Sequence, residues 1–256
     1  MSRRYWQKKP DLIIGHPTDP ITAAESFQPA VDAGIPIAML DQLPKGYEYG
    51  KDIIGVVTEN HVELATYSAE VMNQILGDGG KVGVVYYDDV YYVCNILDDT
   101  FVDTLEEKYP SMEIVSKMGW VEEQGAGNVA AGMILRDPDI EGIWVTYMTP
   151  AQSVLAALKD SNRTDIQVVT YGIDMPTLVN IAQGGSMTIT GASPWNIGMD
   201  LAIMGGYGLL GKEVPNYYIT VPGFIVTRDM VREVWENSMP YEMPDLLKKV
   251  LEEAGL

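Results

Sequence analysis

The sequence predicts an α/β protein assembled from parallel βαβ units. Short continuous apolar runs alternate with longer helical patterns. The runs lack polar–apolar alternation, as parallel strands buried on both faces do. Each strand–helix pair takes roughly 25–30 residues, a spacing suited to right-handed crossovers in a doubly wound sheet.

The elements follow in order. Asp11–Gly15 reads as a buried strand with proline on both sides. Ile21–Gly34 is a helix with Ala, Phe and Val on one face and Gly34 as its stop. Strands Ile35–Asp41 and Ile53–Thr58 come next, then a helix His61–Leu76 closed by Gly77. Strand Lys81–Tyr87 precedes helix Tyr92–Lys108, stopped by Pro110. The pattern continues as strand Met112–Lys117, helix Gly125–Leu135, strand Ile140–Thr146 and helix Pro150–Lys159. Strand Ile166–Tyr171, helix Pro176–Gln183, strand Met187–Thr190 and helix Asn196–Leu210 complete it. An extended stretch Tyr217–Val226 and helices after Asp229 form the tail.

The chain has 256 residues, 46% of them apolar, enough to bury a sizeable core. Its net charge of -19 argues against nucleic acid and anionic lipid, which call for clustered Lys and Arg. Cys94 is the single cysteine, so no internal disulfide and no CxxC site can form. The only histidines are His16 and His61, and GxSxG, GxxxxGK[ST], HExxH and GxGxxG after a strand are all missing. Of the adjacent carboxylates, Asp88–Asp89 falls in a loop and Asp98–Asp99 on the expected solvated part of a helix. No catalytic residue, metal ligand or cofactor is therefore expected, and the chain does not read as an enzyme.

Ligands of open parallel sheets sit at the carboxyl ends of the strands. Here those ends offer His16, Asp19, Asp41, Gln42, Glu59, Asn60, Tyr87, Asp88, Trp120, Tyr147, Tyr171, Asp174 and Trp195. Flat rings against C–H faces and planar polar groups on hydroxyls suit a polyol.

Five stretches in one order carry a family resemblance. They are Lys9–Pro20 (KPDLIIGHPTDP), Ala33–Asp41 (AGIPIAMLD), Asp137–Trp144 (DPDIEGIW), Val168–Asp174 (VVTYGID) and Gly211–Pro215 (GKEVP). Together they resemble the ribose-type periplasmic sugar-binding proteins of ABC transporters, over essentially the whole chain. The resemblance implies a type I periplasmic-binding fold of two lobes, each a parallel sheet flanked by helices, closing over a mono- or small oligosaccharide. It implies an N-terminal lobe from 1–59 and 192–222, a C-terminal lobe from 60–191, and a tail 223–256 across the hinge. Hinge strands would run through Val57–Asn60, Thr188–Ala192 and Val221–Phe224, where Gly191 and Gly223 suit a hinge. Family members begin with two further βα units and a secretion signal. Met1–Pro10 is polar and basic, so the resemblance implies an incomplete N-terminal lobe with a bare strand edge.

The same resemblance implies the ligand-binding residues. Asp41 matches a strand-end aspartate that accepts from sugar hydroxyls, and Gln42 stands where the family often has arginine. His16 replaces an asparagine and can likewise donate and accept. Asn95 falls near a sugar-binding arginine, and Trp120 near an aromatic on the hinge side. Tyr147 departs from an Asn, and neither Met148 nor Thr149 restores the family's neighbouring Asp. Asp174 answers the strand-end aspartate, with a helix N-cap before Pro176 as its alternative role. Trp195 lies close to a family glutamine.

The implied partners are a sugar or polyol and the membrane permease of an ABC transporter, with no nucleic acid. A periplasmic monomer is expected. The alternatives are the effector domain of a lactose-repressor-type regulator, which needs a helix-turn-helix ahead of the core, and a ligand-sensing receptor domain.

Overall fold

The computed structural model describes residues 8–77 and 79–256. The basic opening stretch, up to residue 7, lies outside them. In chain order the elements are β1 (Ile13–Gly15), α1 (Pro20–Asp32), β2 (Ile37–Leu40), β3 (Gly55–Glu59), α2 (His61–Ile75) and β4 (Gly80–Tyr87). They continue with α3 (Tyr92–Lys108), β5 (Met112–Trp120), α4 (Ala126–Arg136), β6 (Gly142–Val145), α5 (Met148–Asp160) and β7 (Gln167–Tyr171). The last are α6 (Met175–Ala182), β8 (Met187–Ala192), α7 (Pro194–Leu209), β9 (Tyr218–Val221), β10 (Gly223–Val226), α8 (Val231–Ser238) and α9 (Asp245–Ala254).

The chain divides into two units. Among the described residues, the first comprises 8–60, 90–93 and 193–222, the second 61–77, 79–89, 94–192 and 223–256. In the first unit a four-stranded parallel sheet has the order β1-β2-β3-β9. Ile37, Ala38, Met39, Val56 and Val57 are fully buried in its central strands. Phe27 and Ala30 of α1 pack on this sheet, and α7 packs against β2 and β3. Asp19 starts α1 by accepting from the Ile21 and Thr22 amides at 3.1 and 2.8 Å, ahead of Pro20 in the first turn.

The second unit holds a six-stranded sheet of order β10-β8-β7-β6-β4-β5, parallel except for β10. Trp144 is fully buried and stacks on Phe101 of α3 with centroids 4.5 Å apart. The stretch expected to be one extended segment, Tyr217–Val226, serves two sheets. β9 joins the first, β10 the second, and Pro222 separates them. Residues 223–256, expected as a tail, are part of the second unit: β10 pairs with β8, and α9 packs on α6.

Gly223 earns its place by space rather than by φ. A Cβ there would meet Leu64 Cδ2 at 2.4 Å, and Leu64 is fully buried. At Gly191 the closest atom is Ile173 Cγ1 at 3.1 Å. Gly223→Ala should therefore destabilise the protein by about 1–3 kcal/mol through overpacking, and Gly191→Ala by less. Chemical denaturation of both variants checks the order.

Candidate functional site

In a parallel sheet every strand delivers its last residue to the same pole, so side chains from separate βα units gather there. In the first unit this brings His16 and Asp41 together, with His16 Nε2 2.7 Å from Asp41 Oδ2. The Asp41 side chain is buried at 7% exposure, and the imidazole is open to solvent. Asp41 adopts φ 68°, a left-handed conformation that aspartate tolerates better than most residues. It is held there by its amide, which donates to the Val57 carbonyl at 2.9 Å. Thr58 Oγ1 lies 3.4 Å from Asp41 Oδ1. The strain falls on a residue singled out for ligand contact, a common location for it.

Sequence reading missed Tyr91. Its hydroxyl lies 3.2 Å from His16 Nε2, and the rings meet edge-on at 6.0 Å. Residues 90–93 belong to the first unit although the flanking chain belongs to the second, and the Tyr92 amide donates to the Thr18 carbonyl at 2.9 Å. Nothing in the local pattern before α3 signals this excursion. Gln42 is buried and its Nε2 donates to the Pro17 carbonyl at 2.7 Å, tying together the loops after β1 and β2. Its Oε1 has no hydrogen-bond partner among the described residues. Trp195 sits in the first turn of α7 and is 43% exposed.

In the second unit Trp120, the last residue of β5, is buried between two tyrosines. Tyr87 lies 4.9 Å away centroid to centroid and Tyr147 5.5 Å away, neither ring parallel to the indole. Trp120 Nε1 is buried without a hydrogen-bond partner among the described residues. The Tyr147 hydroxyl donates to Glu123 Oε1 at 2.7 Å. Burial, and then this bond, push its pKa up, so it remains a neutral donor. Asn95 stands in the first turn of α3, where its Nδ2 donates to the Asp89 carbonyl at 3.0 Å. Burial also pushes the Cys94 thiol up to about 12, so it is inert.

One aspartate departs from the sequence reading, and a second takes the alternative role named for it. Asp98 is not solvated: it is 5% exposed and faces the ends of β4 and β6. Helical spacing alone did not reveal this, because its neighbour Asp99 is exposed and looks the same in sequence. Asp174 forms the N-cap of α6. Its Oδ1 accepts from the Thr177 amide at 2.8 Å in a reciprocal capping box.

Among the described residues no group of three or more His, Cys, Asp or Glu is arranged to hold a metal ion. No helix among them is long and apolar enough to cross a membrane.

Two units, each a largely parallel sheet flanked by helices, thus carry rings, amides and carboxylates at their strand ends. The chain belongs to the periplasmic binding protein domain family, whose model matches residues 4–212. It is 23% identical over 216 residues to the D-apiose import binding protein of Actinobacillus succinogenes, covering 81% of this chain and 67% of that protein. Solved structures share the fold. An ABC transporter solute-binding protein of Agrobacterium vitis with bound α-D-tagatopyranose superposes with TM-score 0.80 at 19% identity, covering 92% of this chain and 82% of that one. Another from the same organism, with bound D-fucose, gives 0.81 at 17% identity over 92% and 81%. One from Bacillus halodurans C-125 with bound myo-inositol gives 0.80 at 16% identity over 91% and 79%.

Asp174→Ala removes a capping acceptor and should cost about 0.5–2 kcal/mol of stability. Denaturation without ligand measures it.

Proposed function

We propose that this protein is the solute-binding component of an ABC sugar importer, taking a mono- or small oligosaccharide or a related polyol. The observation that carries this reading is the content of the strand ends: a buried Asp41 partnered by His16 in one unit, and Trp120 flanked by Tyr87 and Tyr147 in the other. Carboxylate and imidazole suit hydroxyl recognition, and rings suit the C–H face of a sugar. The relatives and neighbours are importer binding proteins rather than gene regulators, and those with named ligands hold sugars or a cyclitol.

The ligand stabilises whichever conformation it binds more tightly, by its differential affinity for that state. The chain passes between units after Asn60, Asp89, Val93, Ala192 and Pro222, and we assign the hinge to the first, fourth and fifth of these crossings. Asp41, His16, Gln42, Trp120, Tyr147 and Asn95 are the residues we assign to ligand contact, with Trp195 and the remaining carboxylate oxygen of Asp174 at the margin. The protein works outside the cytoplasm as a monomer, delivers its cargo to a membrane permease and catalyses no reaction.

Charge narrows the ligand. The turns from β1, β4, β5 and β7 to the helices that follow them carry Asp19, Asp88, Asp89, Glu122, Glu123 and Asp174, while the longer segment after β2 carries Lys45 and Lys51 beside Asp41, Glu48 and Asp52. This acidic excess favours neutral or cationic solutes over anions.

The first unit also receives a further strand. The Ile13 amide bonds inward to the Pro36 carbonyl, which turns the Ile14 amide outward, and Ile14 is 51% exposed. On α7, Met199 and Ile203 are exposed four residues apart, on an apolar face that a neighbouring element would cover. Hydrogen exchange on protein from its native cells checks this. Strong protection of the Ile14 amide is expected, and loop-like exchange would refute it.

A melting series with D-apiose, D-tagatose, D-fucose, myo-inositol, D-arabinose and D-allose tests the main reading. A cognate sugar at about 100 times its Kd should add about 2.7 kcal/mol of stability. Sugar acids and sugar phosphates should shift nothing. Asp41→Ala should weaken the cognate sugar by about 1–3 kcal/mol in titration calorimetry. Absence of any shift across neutral sugars and polyols would overturn the proposal.

A further inference from the structure

The second unit buries one carboxylate for which packing alone gives no reason. Asp98 on α3 accepts three hydrogen bonds. Oδ2 takes the Tyr87 amide at 2.9 Å and Thr146 Oγ1 at 2.9 Å, and Oδ1 takes Trp144 Nε1 at 2.7 Å. Tyr87 is the last residue of β4, and Thr146 follows β6 directly before Tyr147. These two tyrosines are the rings packed on Trp120. One carboxylate thus joins the ends of two neighbouring parallel strands where their aromatic side chains emerge.

We infer that Asp98 is a positioning residue for ligand binding: its carboxylate fixes Tyr87 and the Thr146–Tyr147 turn, and through them the aromatic seat around Trp120. This rests on the reading that these strand ends meet the sugar. A hydrophobic residue of similar size would fill the same volume, but it would leave the Tyr87 amide and the indole N–H without their acceptor.

The group is also sensitive to pH. Burial pushes its pKa up to about 7, opposed by the donors from Tyr87, Trp144 and Thr146. The titratable groups acting on it are Asp99 and Cys94, both on its own helix. Beyond them, Tyr87 stands at the end of β4, and Tyr147 with its partner Glu123 follows β6. Thr146 and Trp144 do not titrate. The ionised form accepts all three donors, whereas a proton on the carboxyl displaces one of them. Affinity should therefore fall as pH drops through neutrality.

Stability should move the other way. A folded pKa raised above the ordinary 3.8 means the folded state binds the proton more tightly than the unfolded chain. This contribution is complete below about pH 4 and lost as pH rises to about 7. Binding thus tightens over the range where the fold loosens, a pairing that a purely structural carboxylate would not produce.

Titration calorimetry with the sugar identified by melting, from about pH 5.5 to about 8.5, tests the inference across the window set by the raised pKa. The proteins are the wild type, Asp98→Asn, Thr146→Val and, as control, the exposed Asp99→Asn. Asp98→Asn should lose about tenfold or more in affinity at the alkaline end, the effect of one lost charge-assisted bond, and show a flat pH profile. Thr146→Val removes one donor, so its affinity midpoint should move to higher pH. Asp99→Asn should follow the wild type. Wild-type affinity and an unchanged pH profile in both Asp98→Asn and Thr146→Val would overturn the inference. If Asp98→Asn does not fold, Thr146→Val decides alone. If the wild type binds no sugar, the binding reading fails by itself, and the near-ultraviolet circular dichroism of the tryptophans decides on Asp98. A transition near neutrality that Thr146→Val shifts upward supports positioning, and a pH-independent spectrum refutes it.

Discussion

The parallel arrangement of the strands governs everything else in this protein. Once a strand is followed by a crossover helix and a neighbouring parallel strand, all strand carboxyl termini share one pole and all amino termini the other. The interiors of the central strands are committed to burial on both faces, as in Val56, Val57, Ile143 and Val145. Chemistry can then appear only where the strands stop. That is why His16, Asp41, Trp120 and Tyr147, distant in sequence, fall at strand ends instead of being scattered over the surface.

Much of this was legible in the sequence, because burial on both faces writes a continuous apolar run and a crossover writes a helical period. The register of α3, Tyr92–Lys108, agrees with the reading to the residue. What escaped the reading depends on contacts between distant residues. Tyr91 looks like part of a helix approach, yet hydrogen bonding to Thr18 draws its neighbourhood into the first unit. Pro222 splits one apparent strand into two that join different sheets, and no local signal distinguishes that from a kink within a single strand. Gly223 looks like a flexible hinge in sequence, but in space it makes room for Leu64.

Two aspartates illustrate the same limit in opposite directions. Asp174 follows a strand and precedes Met175-Pro176, a setting that suits a ligand contact and an N-cap equally, and the Thr177 amide claims one of its oxygens. Asp98 lies in a run of helical polar residues that suits solvent, yet the helix turns it inward while Asp99 stays exposed. A carboxylate's surroundings decide its role, and those surroundings come from Trp144 and Thr146, almost fifty residues further along the chain.

Asp41 and Asp98 also show where this fold accepts local cost. One is held at a left-handed φ that glycine would adopt more readily, and the other keeps a carboxylate in the interior against its solvation. Neither arrangement is what stability alone would select, since a glycine or an apolar side chain would relieve each. Asp41 directly follows β2, and Asp98, on α3, bonds to the ends of β4 and β6 and so holds the backbone from which two rings project. Departures from local consistency that cluster at one pole of the sheets are better explained by a function at that pole than by chance, because the same sheets are packed with fully buried aliphatic side chains away from it.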